Sequence, residues 1–327
     1  MQLQAIYRAR RAIEDVAIRT PLVPAPVLSA ASGREVRLKL ETTQPTGAFK
    51  LRGAASALAG LSEQERARGV VCASTGNHGR AVAFAARRFG VSAIICMSEL
   101  VPRNKLAAIR ALGAQARIVG RSQDEAQEEV DRLVAAEGLA EIPPFDHPDV
   151  IAGQGTIGLE LLEDFPEIDT ALVPLSGGGL IAGIALALKT ASPAVRVIGV
   201  SMEKGAAMQA SLAAGHPVQV EETASLADSL GGGIGLANRH TFQMVRHLVD
   251  AVVLVSEAKI AAAMRSLFLE EGWVAEGAGA IGVALLAEPH LAGLGRNVAI
   301  VVSGRNVDMN RFAAIVAAPG VEEEPCR

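Results

Sequence analysis

The sequence predicts an α/β fold in which mostly parallel sheets are flanked by helices and divided between two domains. Three observations carry that expectation. Short β-branched runs alternate with amphipathic stretches of helical spacing, as parallel sheets wrapped by helices require. Glycine is abundant, at 33 of 327 residues, with the excess read at turns that follow apolar runs. A chain of 327 residues also exceeds what one hydrophobic core usually organises.

The runs Val36–Leu40, Val70–Ala73, Ala93–Met97, Ala171–Leu175, Val195–Val200, Val252–Val255 and Val298–Val302 read as buried strands. Between them, Arg80–Phe89, Asn104–Leu112, Gln123–Ala136 and Lys259–Glu271 have helical spacing. The Pro-rich segment Pro143-Pro144-Phe145-Asp146-His147-Pro148 is the best internal boundary, because prolines this dense end regular structure on both sides.

Composition narrows the function classes. Half the residues are apolar and the formal charge is −4, so there is no basic footprint for nucleic acid or an anionic membrane surface. Small molecules are the expected partners. The cysteines Cys72, Cys96 and Cys326 are odd in number and far apart, which suits a reducing cytoplasm and forms no metal-ligand cluster. The amino terminus, with Arg8, Arg10, Arg11, Glu14 and Asp15 in a helical pattern, has no apolar signal core, and runs such as Leu180–Leu188 are too short to span a membrane.

Four glycine- and serine-bearing segments follow apolar strands. In Thr46-Gly47-Ala48-Phe49-Lys50, the lysine falls near the start of a helix, where the positive end of the dipole and partial burial lower an amine's pKa and make it a nucleophile toward an aldehyde. A lone lysine is more often solvated, so corroboration must come from elsewhere. Ser74-Thr75-Gly76-Asn77-His78-Gly79-Arg80 combines a turn with a helix start. Its backbone N–H groups and hydroxyls suit a carboxylate, and the Asn77 amide suits a phenolate oxygen. A plain helix cap is the competing reading. Ser176-Gly177-Gly178-Gly179-Leu180 offers a phosphate nest without P-loop lysine or dinucleotide spacing, against the alternative of a tight turn. Ser303 can present a hydroxyl to a ring nitrogen, although taken alone it reads as a helix cap. Glu276-Gly277-Ala278-Gly279-Ala280 reads as a small-residue turn into a helix, with packing as its first role.

In this order, the segments resemble the serine/threonine dehydratase group of fold-type II pyridoxal 5′-phosphate (PLP) enzymes, whose architecture is tryptophan synthase β-like. The likeness extends to Pro144-Phe145-Asp146 with Val150-Ile151-Ala152-Gly153-Gln154-Gly155-Thr156, and to Val101-Pro102 followed by Lys105 and Arg110. A narrower likeness, to hydroxyectoine utilization dehydratases, rests on Cys96-Met97-Ser98, Gly120–Ala126, Ser225–Gly233 and Ser303-Gly304-Arg305-Asn306.

The resemblance implies that Lys50 holds PLP as a Schiff base, with Phe49 beside the ring, Asn77 on its 3′-oxygen, Ser176, Gly177, Gly178, Gly179 and Leu180 around the phosphate, and Ser303 at the pyridine nitrogen. Ser74, Thr75, Gly76, Asn77 and His78 would take the substrate carboxylate. Residues 1–52 with 146–327 would form the large cofactor domain, and 53–145 a small domain that closes over substrate. A homodimer or higher homo-oligomer is implied as well.

Departures refine this picture. Racemase-like members carry serine where Thr75 stands, so Thr75 is a crowded second-face proton donor and racemisation is not expected. Ser201, Ala206 and Ala207 occupy places where those members use acidic metal ligands, so no metal is expected there. The chain ends soon after Asn310, and no carboxyl-terminal regulatory domain is expected. The implied reaction is loss of water from a β-hydroxy-α-amino acid such as serine, threonine or 3-hydroxyaspartate, leaving a keto acid and ammonia. If the narrower likeness holds, the substrate is a ring-opened 3-hydroxy-2,4-diaminobutyrate. Competing readings are β-replacement, serine racemase-like activity, a non-catalytic PLP-binding protein, and a nicotinamide-dependent oxidoreductase, the last disfavoured by the missing fingerprint.

Overall fold

The computed structural model describes the chain except for residues 75, 102, 288–292 and 319–327, and only the backbone of 103 and 104. Two sheets organise it. One contains β1 (Leu22–Pro24) and β2 (Glu35–Leu40), and the other β3 (Val70–Ala73), β4 (Ala93–Met97), β5 (Gln115–Ile118) and β6 (Ala140–Glu141). The chain then returns to the first sheet through β7 (Thr170–Pro174), β8 (Arg196–Met202), β9 (Ala251–Val255) and β10 (Asn297–Val302).

The six-stranded sheet runs β1-β2-β10-β7-β8-β9 and the four-stranded sheet β5-β4-β3-β6. All pairings are parallel except that of β1 with β2. Buried strands such as β7 and β10 carry uninterrupted apolar residues because helices cover both faces. The predicted strands and helices are present to within a few residues. Short β1, β5 and β6 were not expected; three, four and two residues are too few to show a period.

Glycine placement differs from the expectation. Gly53, Gly153, Gly155, Gly158 and Gly183 lie inside helices, where the missing side chain lets backbones meet. A Cβ on Gly153 would stand 2.4 Å from the Arg52 carbonyl oxygen, and one on Gly183 2.3 Å from that of Ile151. The helices Lys50–Gly60, Pro148–Asp164 and Gly179–Ala191 are therefore locked at a separation that no side chain would permit.

Candidate active site

The carboxyl ends of the adjacent strands β10 and β7 lead into Ser303 and Ser176, and β3 of the other sheet leads into Ser74. Turns in that position are where parallel sheets bind ligands. Lys50 occupies the first position of its helix. Its entry turn is tied to β10 by the Phe49 N–H donating to Ser303 O at 3.0 Å, by the Ala48–Gly304 bridge, and by the Arg305 N–H donating to Gly47 O at 2.9 Å. Gly47 has φ +74°, a conformation that a side chain would strain.

The Lys50 side chain is half-buried, with its amine end enclosed. Its Nζ donates to Pro144 O at 2.6 Å and lies 5.3 Å from the Phe49 ring centroid. No carboxylate pairs with it among the described residues, and desolvation pushes the amine down to about 8. This is the environment in which a lysine is a nucleophile near neutral pH.

Pro143–Pro148 is more than a boundary. Besides the Pro144 carbonyl, it supplies Phe145, whose ring fills the space where a Gly177 Cβ would stand, 2.3 Å from Cδ1. The Asp146 carboxylate accepts from the backbone N–H groups of Arg239, His240 and Thr241 at 2.6, 2.9 and 2.8 Å, and so caps the helix Thr241–Leu248. His147 and Pro148 then begin the next helix.

Behind Phe145, the glycine run opens the helix Gly179–Ala191, with Gly178 at φ +89°. Methionine, threonine and valine atoms crowd Gly178, the Met208 Cε lying 2.8 Å from where its Cβ would be. Steric need therefore explains these glycines in part, as neither the phosphate nor the turn reading had supposed. Their ligand role rests on the amides: those of Gly177, Gly178, Gly179 and Leu180 have no acceptor among the described residues. Buried amides of this kind at a helix start suit a phosphate.

On the other sheet, the Ser74 Oγ accepts from the Gly76 and Gly79 N–H groups at 3.2 and 3.0 Å. Both acceptor positions are used, which leaves the hydroxyl hydrogen free to donate to a carboxylate. Ser74 thus satisfies one amide of the first turn of the following helix, although the N-cap residue itself is Gly76. The amides of Asn77 and His78 have no acceptor among the described residues. Thr75 lies outside the described residues.

The His78 ring, 4% exposed, points elsewhere: Nε2 donates to Ile142 O at 2.7 Å, and Nδ1 is buried without a partner among the described residues. Desolvation and the nearby Lys50 amine push the imidazole down to about 3. It is neutral in the working range, so its backbone N–H is what it can offer a carboxylate.

Ser303 is 3% exposed at the end of β10 and is not a helix cap; Asp308 caps the following helix through Asn310 and Arg311. Arg80 is half-buried, its Nη1 donating to Asn306 Oδ1 at 3.0 Å, whereas Arg121 and Arg239 are exposed. Glu276, read first as part of a packing turn, is 5% exposed, and its Oε1 accepts from Asn77 Nδ2 at 2.7 Å. The signal for it was faint, a lone acid before a small-residue helix. Among the described residues, no group of three or more His, Cys, Asp or Glu side chains is gathered as a metal site needs, and no helix is long and apolar enough to cross a membrane.

An enclosed amine, buried unpaired amides at a helix start, a free hydroxyl donor and an amide side chain fit PLP and an amino acid. The comparisons agree. A Sinorhizobium fredii protein whose name sets it provisionally among threonine dehydratases is 56% identical over 316 residues, 97% of this chain and 95% of that protein. An L-threonine ammonia-lyase of Thermotoga maritima is 45% identical over 314 residues, 96% of this chain and 78% of that protein. The structure of maize serine racemase superposes with a TM-score of 0.91 at 33% identity, covering 96% of each chain. The model of the family described as "Pyridoxal-phosphate dependent enzyme" matches residues 13–304, and the chain belongs to that family.

Proposed function

We propose that this PLP-dependent, threonine dehydratase-like lyase removes water from a β-hydroxy-α-amino acid of the serine/threonine type, with keto acid and ammonia as final products. The observation that carries the reading is the Lys50 amine, enclosed, free of any acidic partner among the described residues and brought to about 8. When bound, the cofactor supplies the electron sink that makes a substrate's α-proton removable.

The rest falls to the chain. Lys50 Nζ would hold the cofactor and, as a free amine, would take the α-proton of the substrate. The amides of Gly177, Gly178, Gly179 and Leu180, with Ser176, would hold the phosphate, Phe49 would flank the ring, and Asn77 and Ser303 would take its 3′-oxygen and nitrogen. Ser74, Gly76, Asn77 and His78, with Thr75, orient the substrate carboxylate. Ser303 is a neutral hydroxyl and holds a ring proton less firmly than a carboxylate would, which favours prompt loss of a β-hydroxyl. The division into 1–52 with 146–327 and 53–145 is supported by the sheets, each built from strands of one part. Closure of the smaller part over substrate belongs to the same proposal, as do cytoplasmic placement and assembly from two or more copies.

The test is a screen of serine, threonine, 3-hydroxyaspartate and ring-opened 3-hydroxy-2,4-diaminobutyrate with purified protein, scored for ammonia and keto acid. The last compound is included because Gly120–Ala126 and Ser225–Gly233 resemble hydroxyectoine utilization dehydratases. Release of ammonia that Lys50→Ala abolishes supports the reading. A β-replacement product, a D-amino acid without keto acid, or no turnover of any of the four rejects it.

A further inference from the structure

Glu276 is placed in a way that its own helix does not explain. It stands at the N-cap of the helix Gly277–Leu286, yet its side chain makes no bond to that helix. Acidic caps ordinarily satisfy the free amides of the first turn. Here the carboxylate turns instead toward the start of the helix Asn77–Phe89 and the turn Asp228–Leu230, where Oε1 accepts from Asn77 Nδ2 at 2.7 Å and from Ser229 Oγ at 3.3 Å. The Asn306 backbone N–H also donates to it. Gly304 makes room: a Cβ there would lie 2.6 Å from the Glu276 Oε1.

Asn306 completes the arrangement. Its Nδ2 donates to Asn77 Oδ1 at 2.7 Å and to Thr46 O at 2.8 Å, while its Oδ1 accepts from Arg80. The Asn77 amide is thus gripped at both ends, its oxygen by Asn306 and one N–H by Glu276. An amide so held has its plane fixed and cannot flip, since a flip would set oxygen against carboxylate and nitrogen against nitrogen. Of the Asn77 side chain, only the second N–H has no partner among the described residues.

We propose that Glu276 is a positioning residue that acts through Asn77, fixing the amide plane so that its free N–H is aimed at the cofactor's 3′-oxygen. The inference rests on the reading of Asn77 given above and adds a group to it. The arrangement is costly. Of the charges facing Glu276, Asp228 on the turn Asp228–Leu230 repels it and Arg80 on the helix Asn77–Phe89 attracts it. Burial and then Asp228 raise the carboxyl to about 7 against the three donors.

The experiment compares the parent with E276A and E276Q in three readouts: the visible absorbance of bound PLP titrated with pH, the PLP dissociation constant, and the pH profiles of kcat and KM with serine or threonine. E276A should lower kcat about tenfold, the scale of one lost hydrogen bond, with KM little changed, and should move the midpoint of the absorbance titration. E276Q should restore that midpoint, because its Oε1 still accepts from Asn77, while removing the inflection near pH 7 from the kcat profile. If both variants keep the parent's titration midpoint and pH profile and only melt at lower temperature, the role is structural and the proposal fails. A parent without any PLP band overturns the underlying functional reading and this proposal together; a parent with the band and unresponsive variants overturns this proposal alone.

Discussion

Replacing Arg52 with methionine should cost much of the stability of the protein and reverse part of its response to acid. The guanidinium is 2% exposed and lies beneath the helix that carries Lys50. Its Nε and Nη2 meet both oxygens of Glu41 at 2.9 and 2.8 Å, and Nη1 and Nη2 meet both oxygens of Glu160 at 2.6 and 2.9 Å. Lys39 Nζ adds a 2.6 Å contact to Glu160 and donates to Thr20 O at 2.7 Å. Two cations balance two carboxylates, so the parent cluster is neutral. The variant strands one negative charge in a buried site, at a cost of about 3–5 kcal/mol out of a usual total of about 5–15. Burial pushes the Glu160 carboxyl up, but Arg52 and Lys39 outweigh burial and hold it below its ordinary value. In the parent, the contribution of Glu160 is therefore present above pH 4.5 and lost as pH falls through the lower folded value. Without Arg52 the sign changes: the one excess negative charge in the buried site is relieved by protonation, and mild acid stabilises. Urea unfolding of the PLP-free protein at pH 7 and pH 5.5 measures both effects. A loss under about 1 kcal/mol at pH 7, or a pH response matching the parent's, would refute the reasoning. The double variant R52M/E160Q, neutral again, should recover part of the loss.

Three further outcomes are expected. Lys50→Ala should fold with the parent's circular dichroism but show no visible PLP band and no ammonia release. Gly177→Ala should force the Phe145 ring aside, since its Cβ would stand 2.3 Å from Cδ1. That should cost about 1–3 kcal/mol and weaken PLP binding, read by quenching of Trp273, the single tryptophan. The Glu276 carboxyl, raised from the ordinary 4.5 to about 7, keeps a proton longer in the folded state than in the unfolded one. Its contribution is thus fully present below pH 4.5 and lost as pH rises through 7, to a limit of about 3 kcal/mol. PLP-free E276Q should accordingly exceed the parent in melting temperature at pH 8 but not at pH 4.5.

Strand positions and the glycine turns were legible because each has a local signature. A run such as Val298–Val302 ends in Ser303 and is buried throughout, and Lys50 begins its helix just after a turn that only glycine relieves. Val150–Thr156 could be matched as a motif, but its physics was hidden. The structure supplies it: Gly153 admits the Arg52 carbonyl, and Thr156 Oγ1 accepts from Arg52 Nη1 at 3.0 Å. The dense prolines of Pro143–Pro148 suggested an end to regular structure. They gave no hint that Phe145 would pack on the glycine run or that Asp146 would cap a distant helix.

What escaped the sequence has a common physical cause. Charged residues are read from sequence as surface, because burying one alone is costly. Arg52 and Glu160 lie 108 positions apart, and Asn77 and Glu276 lie 199 apart. Each becomes affordable only when the fold delivers its partner, and no periodicity announces that meeting. The two cases then differ in a way that bears on function. Around Arg52 every charge is matched, as a structural cluster requires to be tolerated at all. At Glu276 the ledger is left open: Asp228 repels it, Arg80 attracts it without forming an ion pair, and the groups bonded to it are neutral. A buried carboxyl without an ion-pair partner among the described residues, beside the candidate cofactor site, is what chemistry, rather than stability, would retain.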